Sequence, residues 1–342
     1  MNAKTPKTII EIARAMVADG RGILAADEST GTIEKRFKGI GIENTEENRR
    51  AYREMLFATP EMEQYISGVI MYEETLFQST QDGKPFTKLL AEKGVIPGIK
   101  VDKGAKPLSG APDELITEGL DGLRERLVKY REAGARFAKW RAVITIGNGI
   151  PSAYCIEANA HALARYAALC QENDIVPIVE PEVLMDADNT IEVCEQVTVD
   201  TLQEVFVQLH RQRVLLEGMI LKPNMVISGK KCPVQANVQA VAATTVRTLK
   251  RFVPGAVPGI AFLSGGQGDE LATAHLNAMN QLGPLPWKLS FSYGRALQAP
   301  SLKAWAGKSA NLAAGQRAFQ HRAKCNSAAV LGRYNDAMEK AA

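Results

Sequence analysis

Eight short apolar runs alternate with helical patterns along the chain, and this alternation limits the fold more than any other feature of the sequence. The runs lie at residues 22–27, 65–71, 95–101, 136–144, 175–182, 219–221, 259–264 and 287–293. Short apolar runs between helices are typical of a parallel sheet that is buried on both faces. Eight such units predict an α/β fold of the (β/α)8 TIM barrel type, for which about 250 residues is typical. A doubly wound open sheet is the alternative.

The segments between the runs carry apolar side chains at helical spacing. Helices are predicted at residues 7–20, after Asn44, and at 113–133, 151–173, 189–212, 235–252 and 268–281, and helical pattern fills most of the remainder. Asn44 and Glu47 have the offset of a capping box, and Pro112 would open the 113–133 helix. No linker or low-complexity stretch interrupts the pattern. We therefore expect residues 1–342 to form one barrel domain with an N-terminal helix and a C-terminal helical segment.

The composition argues against several classes of protein. The formal net charge is only +3 and no basic run of five residues occurs, so we expect no nucleic-acid partner. No apolar run approaches the roughly 18 residues of a membrane span, and the first residues lack the apolar centre of a secretory signal. The five cysteines form no C-x-x-C pair, which indicates reduced thiols in a cytoplasmic protein. The four histidines are scattered without a spaced histidine or cysteine partner, so no metal site is predicted.

Lys222 stands where the sixth apolar run ends, directly before Pro223. Removing a lysine from water is costly, and burial or a cationic neighbour lowers its pKa and leaves some free amine at neutral pH. Because a free amine attacks carbonyl carbons, Lys222 is a candidate Schiff-base nucleophile. The alternative is a lysine at a strand end that points into solvent.

Charged residues stand at or near most of the predicted strand ends, where the active site of such a barrel lies. They are Asp27 and Glu28, Glu73 and Glu74, Asp102 and Lys103, Lys139 and Arg141, Glu180 and Glu182, and Lys222. Strands four, five and six are neighbours in a barrel, so Lys139, Glu180 and Lys222 are expected to converge. Lys139 would then lower the pKa of Lys222, and Glu180 would accept and donate protons. The alternative is an internal ion pair that only fills the barrel.

The last two strand ends carry small residues and one arginine. Ser264, Gly265, Gly266, Ser292, Gly294 and Arg295 stand there. Backbone N–H groups with a guanidinium suit a phosphate dianion, and barrels commonly bind phosphate at this place. Arg36 and Lys103 would form a second cationic patch for a second phosphate. The alternative is two ordinary glycine turns. The run 263–267 also matches the signature loop of ABC-type ATPases, but the Walker A loop that they need is missing.

These motifs together resemble the class I fructose-1,6-bisphosphate aldolases, over essentially residues 7–334. The matching stretches are residues 22–31, 98–104, 137–141, 175–182, 216–225, 262–267 and 291–298. The resemblance implies a TIM barrel enzyme of glycolysis and gluconeogenesis that needs no metal or cofactor. It would reversibly split fructose 1,6-bisphosphate into dihydroxyacetone phosphate and glyceraldehyde 3-phosphate.

The resemblance also implies roles for individual residues. Lys222 would form the Schiff base, Glu180 would be the main acid and base, and Lys139 its electrostatic partner. Asp27 would bind and help to deprotonate the C4 hydroxyl, and Glu182 would support this network. The C1 phosphate site would comprise Ser264, Gly265, Gly266, Ser292, Gly294 and Arg295. The residues expected near the other phosphate are Ser29, Thr32, Arg36 and Lys103, and Arg141 joins the candidate substrate-binding residues.

Two further expectations come from the resemblance. Members of the family are commonly homotetramers, and Asp121 matches an interface position. Well-known eukaryotic members end in a tyrosine that reaches the active site, whereas the last tyrosine here is Tyr334, eight residues before Ala342. The help that this tail gives to enamine protonation is therefore not expected from the resemblance alone, and neither are the family's rate and its preference for fructose 1,6-bisphosphate over fructose 1-phosphate. The remaining alternatives are another imine-forming barrel enzyme with a different sugar phosphate or aldehyde, and a non-catalytic binding scaffold.

Overall fold

Eight parallel strands close into a barrel in the structure, a computed structural model that describes residues 8–341. The described residues form ten strands, eight in the barrel and two in a hairpin: β1 (Gly22–Ala26), β2 (Ile66–Met71), β3 (Ile96–Lys100), β4 (Ala105–Pro107), β5 (Leu115–Thr117), β6 (Phe137–Ile144), β7 (Val176–Val183), β8 (Ile220–Leu221), β9 (Gly259–Phe262) and β10 (Lys288–Tyr293). The order around the barrel is β1-β10-β9-β8-β7-β6-β3-β2, and β4 pairs with β5 as a separate antiparallel hairpin. The predicted TIM barrel is confirmed.

Helices follow most of the barrel strands and cover the outside of the barrel. They are α1 (Ile9–Met16), α2 (Thr30–Lys38), α3 (Glu46–Phe57), α4 (Glu73–Leu76), α5 (Phe86–Glu92), α6 (Leu123–Glu132), α7 (Ala153–Glu172), α8 (Ile191–Arg211), α9 (Val238–Phe252), α10 (Asp269–Asn280), α11 (Arg295–Trp305) and α12 (Leu312–Val330). Short 3₁₀ turns lie at Met62–Gln64, Leu216–Gly218, Ser309–Asn311 and Asp336–Ala341. The large apolar core fills the layer between helices and barrel.

The inside of the barrel is apolar near the amino ends of the strands. Phe137, Ile178 and Ile220 point into it, and α1 closes this end with Ile12 and Met16 in the same cluster. The ring of Phe137 takes the space that a side chain on Gly98 would need, since a Cβ there would lie 2.3 Å from the ring. The barrel is therefore a packed core at this end and not a pore.

On β6 and β7, charged side chains lie two residues after the apolar ones, on the same face of each strand. Lys139 follows Phe137, and Glu180 follows Ile178. Because side chains of a strand alternate between its two faces, both also point into the barrel, at its carboxyl end. The neighbouring pairs Lys139–Ile178 and Ile178–Ile220 set the register of these strands. This register gathers the charges above the apolar floor.

The predicted helix 113–133 is wrong over its first half. Leu115–Thr117 forms β5, and only Leu123–Glu132 is helical. Residues of this segment leave the helical region of the backbone, with φ +65° at Asp113, +129° at Gly119 and +64° at Gly122. Pro112 therefore opens no helix, and the pairing of β4 with β5 overrides the helical spacing of the apolar residues.

The predicted capping box at Asn44 and Glu47 is also wrong by one position. Thr45 is the N-cap of α3, and its side chain accepts a hydrogen bond from the Asn48 backbone N–H at 3.1 Å. A box with both reciprocal hydrogen bonds occurs instead at α1, between Thr8 and Glu11. The predicted start of the first helix at residue 7 lies outside the described residues, and the helix ends at Met16 instead of residue 20.

The cysteine thiols are all buried and free of disulfides. Burial raises the pKa of the Cys170 thiol well above its ordinary value, so this group is an inert core side chain. No helix in the described part of the chain has the length and apolar character needed to cross a membrane.

Candidate active site

A cavity of about 800 Å³ opens at the carboxyl ends of the barrel strands. All sixteen candidate site residues from the sequence line it: Asp27, Ser29, Thr32, Arg36, Lys103, Lys139, Arg141, Glu180, Glu182, Lys222, Ser264, Gly265, Gly266, Ser292, Gly294 and Arg295. They come from strand ends and loops that are spread over most of the chain. The barrel therefore brings the predicted residues to one mouth, as expected for this fold.

Four buried ionisable side chains form the floor of the cavity. Lys139 Nζ lies 2.7 Å from Asp27 Oδ2 and 3.2 Å from Glu180 Oε2. Lys222 Nζ lies 3.2 Å from Glu180 Oε1. These four side chains are between 4% and 10% exposed. Glu180 thus bridges the two lysines, and the neighbouring opposite charges offset part of the large cost of burying each group.

The surroundings of Lys222 favour its free amine. Burial lowers the pKa of this lysine, the nearby Glu180 carboxylate acts against the shift, and the Lys139 ammonium adds to it. The net result is a pKa below the ordinary value, so more of the amine is unprotonated near neutral pH than in a solvent-exposed lysine. An unprotonated amine at the base of a polar cavity is suited to attack a carbonyl carbon.

The opposite holds for Lys139 and Asp27, which stay ionised. Burial disfavours the charge on Lys139, but Asp27, Glu180 and Asp102 outweigh it and raise the pKa of Lys139 above its ordinary value. Burial also acts against the charge on Asp27, but Lys139 and Lys222 hold the pKa of this carboxyl at about 2. The two lysines therefore differ in protonation: Lys139 is a fixed cation and Lys222 is the titratable one.

Glu180 has the geometry of a proton carrier. Its 3.2 Å contact from Oε2 to Lys139 is an ion pair without hydrogen-bond geometry, and Oε2 has no hydrogen-bond donor among residues 8–341. The same carboxylate reaches Lys222 through Oε1. A buried carboxylate oxygen that keeps a free lone pair beside a candidate nucleophile is placed to take and return a proton.

The other predicted acid, Glu182, lies one step higher on β7 and pairs with Arg141. The guanidinium Nε of Arg141 donates to Glu182 Oε2. The Arg141 side chain is 42% exposed toward the cavity, whereas that of Glu182 is 7% exposed. Glu182 therefore anchors Arg141 and leaves the rest of its guanidinium available at the cavity wall.

The loop after β9 and the end of β10 contribute several hydrogen-bond donors and one guanidinium to the cavity. Gly265 and Gly266 have φ of +57° and +86°, a left-handed conformation that turns backbone N–H groups toward one side. Ser292 Oγ is buried and has no hydrogen-bond partner among the described residues. Arg295 lines the same cavity and forms no ion pair in that part of the chain. Unpaired donors and an unpaired cation together suit an anion.

The residues predicted for the other phosphate do not form one cluster. Ser29 and Thr32 lie 3.1 Å apart through their hydroxyls, and the nearby Arg36 donates to Glu28. Arg36 Nη2 lies 3.7 Å from the position that a Cβ on Gly294 would take. Arg36 therefore lies beside the anion site at Ser292 and Arg295. Lys103 lies elsewhere on the rim, where its Nζ is 3.4 Å from Glu73 Oε2.

Several residues at the cavity were not singled out from the sequence as site residues. They are Lys35, Tyr72, Lys100, Asp186 and Lys230. The sequence could have pointed to Lys100, because this residue lies near the end of the predicted strand 95–101. In the structure it is the last residue of β3, and its Nζ donates a hydrogen bond to Asp102 at 2.6 Å. Lys230 has no such signal, since it lies eight residues after Lys222 in a loop without secondary structure. Only the folded loop shows that it reaches the cavity.

The expectation that no histidine has a spaced cysteine partner is wrong for His321. His321 and Cys325 lie one helical turn apart on α12, with Nε2 and Sγ 3.7 Å from each other. Glu339 lies 3.7 Å from the same Nε2 and completes a small cluster. Its carboxylate is already bound by Arg322 at 2.7 and 2.8 Å and by the Tyr334 hydroxyl at 2.8 Å. This cluster ties the last 3₁₀ turn to α12.

Comparison with known proteins identifies the family. The sequence model of "Fructose-bisphosphate aldolase class-I" matches residues 8–342. The chain belongs to the class I fructose-bisphosphate aldolases. It is 62% identical over 327 residues to the Xanthomonas campestris pv. campestris protein named "Probable fructose-bisphosphate aldolase class 1". The matched region covers 95% of this chain and 98% of that relative.

Other fructose-bisphosphate aldolases extend the likeness to further organisms and to a solved structure. The "Fructose-bisphosphate aldolase 4, cytosolic" of Arabidopsis thaliana is 57% identical over 316 residues, covering 92% of this chain and 80% of that relative. A structure of Plasmodium falciparum fructose-bisphosphate aldolase, solved in complex with TRAP and a small-molecule inhibitor, matches with a TM-score of 0.95. It is 50% identical and covers 98% of this chain and 99% of that chain.

The predicted family and activity are therefore confirmed. The protein is a fructose-bisphosphate aldolase, a lyase of the metal-independent class that acts through a lysine Schiff base. Glycolysis is the setting of this family, and a sugar phosphate is its substrate. The alternatives, another imine-forming barrel enzyme with a different sugar phosphate or aldehyde and a non-catalytic binding scaffold, are not needed to explain the chain.

Proposed function

We propose that Lys222 forms the Schiff base of this aldolase with the C2 carbonyl of fructose 1,6-bisphosphate. The observation that supports this role is a lysine of lowered pKa, 4% exposed, whose Nζ lies 3.2 Å from a carboxylate at the base of the cavity. Attack of the free amine on C2 gives a carbinolamine, and loss of water from it gives a protonated imine. The imine is a stronger electron sink than the ketone, so no metal ion is required.

Glu180 is proposed as the acid and base of these steps. It takes the proton that Lys222 loses on becoming the free amine and returns it to the carbinolamine oxygen as water leaves. After the C3–C4 bond breaks, it protonates C3 of the enamine with the proton that Asp27 has taken from the C4 hydroxyl, passed on beside Lys139. Its position between Lys222 and Lys139 lets one carboxylate serve both events. Lys139 keeps its charge throughout, and its Nζ lies 2.7 Å from Asp27 Oδ2 and 3.2 Å from Glu180 Oε2.

Asp27 is proposed as the group that binds the C4 hydroxyl and receives its proton when the C3–C4 bond breaks. Its pKa of about 2 keeps the carboxylate ionised, and hence an acceptor, over the whole neutral range. The two electrons of the broken bond move into the enamine, and glyceraldehyde 3-phosphate leaves. Hydrolysis of the re-formed imine then releases dihydroxyacetone phosphate and restores Lys222.

The phosphates are proposed to set the position of the C3–C4 bond. Ser264, the Gly265–Gly266 turn, Ser292, Gly294 and Arg295 would hold the C1 phosphate, which agrees with their unpaired donors. Residues Ser29, Thr32, Arg36 and Lys103 would attract the other phosphate, with Arg141 and its partner Glu182 at the wall between. Holding both ends of the substrate supplies the orientation that speeds the reaction at its centre.

We further propose that the enzyme works as a homotetramer in the cytoplasm. The compartment is supported by the cytosolic name of the Arabidopsis relative and by five buried free thiols. Asp121, the residue expected at an interface, is exposed in the single chain before α6. Light scattering on the purified protein tests the assembly, because a tetramer has four times the 37.1 kDa mass of one chain.

Borohydride trapping tests the role of Lys222. The protein is incubated with dihydroxyacetone phosphate in EDTA, reduced with borohydride, and digested for peptide mass spectrometry. We expect one reduced adduct on Lys222, no adduct in Lys222→Met, and an unchanged adduct in the surface control Lys288→Met. A missing adduct in the native protein, with cleavage abolished by EDTA, would contradict the Schiff-base role of Lys222.

A further inference from the structure

Lys230 lies over the glycine turn of the anion site, although it belongs to the loop after β8 and not to a strand end. Its Nζ is 2.6 Å from the position that a Cβ on Gly266 would take, and Arg295 Nη2 is 3.0 Å from the same position. Two cationic nitrogens therefore converge on one glycine. Two positive charges close to the same point repel each other, so this arrangement is favourable only where an anion binds between them.

The backbone that carries Lys230 is held firmly. The N–H of Lys230 donates to the Met185 carbonyl at 2.8 Å, and its neighbours Gly229 and Lys231 donate to Asn189 at 2.8 Å and Ala187 at 3.0 Å. These three hydrogen bonds join the loop after β8 to the loop between β7 and α8. Met185 in turn lies against Gly265, since a Cβ there would be 1.8 Å from its Cε. The lysine is therefore presented from a fixed base.

The side chain of Lys230 is far less constrained. It is 44% exposed, and its Nζ is 2.7 Å from Oδ1 of Asp186, whose own side chain is 66% exposed. Both residues line the cavity. An exposed pair of this kind is weak, because water screens the attraction and each long side chain loses freedom in holding it. A phosphate dianion carries more charge and more acceptor oxygens than a single carboxylate.

We propose that Lys230 is a specificity-determining cation for the C1 phosphate, and that Asp186 holds it beside the empty site until phosphate displaces the carboxylate. This inference rests on the proposed placement of the C1 phosphate at Gly265, Gly266 and Arg295. On binding, the ammonium of Lys230 and the guanidinium of Arg295 together balance the two charges of the dianion. Asp186 is left to water, which its exposure permits.

The proposal makes a prediction that separates the two ends of the substrate. Fructose 1,6-bisphosphate and fructose 1-phosphate both carry the C1 phosphate. Removing the charge of Lys230 should therefore weaken both substrates by the same factor, about tenfold in KM for one charge-assisted contact at a partly exposed site. The value of kcat should change little, because Lys230 lies outside the network of Lys222, Glu180 and Lys139.

The test compares steady-state constants for both substrates in four variants. Lys230→Gln should raise both KM values about tenfold, and Lys230→Arg should restore most of the loss because it keeps the charge. Lys231→Gln is the matched control, since Lys231 is exposed, adjacent in sequence and not at the cavity. Asp186→Asn should lower both KM values, because it removes the competing carboxylate. Urea midpoints should be equal in all four.

Three results would overturn the assignment. Equal constants in Lys230→Gln and Lys231→Gln would show that Lys230 does not contact substrate, and a loss confined to fructose 1,6-bisphosphate would place it at the other phosphate. A raised or unchanged KM in Asp186→Asn would refute the displacement of Asp186. Calorimetric binding of inorganic phosphate to the same variants gives the comparison without turnover. It therefore tests Lys230 even if Lys222 were to form no adduct.

Discussion

Replacing Lys139 by methionine is the sharpest test of the buried charge network. The substitution keeps an unbranched side chain of similar length and removes the ammonium that lies 2.7 Å from Asp27 and 3.2 Å from Glu180. Two buried carboxylates are then left without the lysine between them, and Lys222 is the remaining amine beside Glu180. We expect a folded but much less stable protein in which Lys222 is shifted toward its protonated form.

The magnitude follows from the burial of the pair. Lys139 and Asp27 are only 5% and 10% exposed, and removing one partner of such a pair costs about 3–5 kcal/mol because the other charge stays buried without compensation. The chain contains a matched exposed pair for comparison. Lys288 and Asp19 have the same 2.7 Å separation but are 60% and 73% exposed. The same substitution at Lys288 should cost about 0–1 kcal/mol.

The assay is urea unfolding of Lys139→Met and Lys288→Met beside the native protein, with aldol cleavage measured on the same samples. The double variant Asp27→Asn with Lys139→Met should recover about 0.5–3 kcal/mol relative to the sum of the single losses, because it removes the uncompensated carboxylate. Equal losses at Lys139 and Lys288 would refute the reasoning. Such a result would mean that water or protonation relieves the buried carboxylates at little cost.

Two further predictions concern pH and the glycine turn. Because the pKa of Asp27 is lowered from 3.8 to about 2, its contribution to stability is complete above pH 3.8 and is lost as the pH falls through about 2. The urea midpoint of Asp27→Asn should therefore fall less steeply with decreasing pH than that of the native protein. An equally steep fall in both proteins would contradict the ion pair. Gly265→Ala should cost about 1–3 kcal/mol and weaken phosphate binding, since φ is +57° and the new Cβ would lie 1.8 Å from Met185 Cε. Gly31→Ala, where a Cβ meets open space within α2, is its control and should be neutral or slightly stabilising in thermal unfolding.

Sequence reasoning worked best where one local signal decides the structure. The period-two placement of Lys139 and Glu180 on strand faces needs only the strand itself, and the structure puts both side chains into the barrel. The same holds for the glycine turn at Gly265, whose left-handed backbone agrees with the residue type. It failed at residues 113–122, where helical spacing was overridden by pairing with β4.

The order of elements, the strand-end charges and the candidate nucleophile Lys222 were determined by the sequence alone, because each depends on residue types a few positions apart. Only the tertiary structure decided how the charges are shared. In the structure Lys139 forms ion pairs with both Asp27 and Glu180, and Lys103 pairs with Glu73 on a part of the rim away from Arg36. The tertiary structure also brings Lys230 to the cavity. Such contacts depend on the closure of the barrel and on loop hydrogen bonds between distant segments, and no spacing along the chain records either.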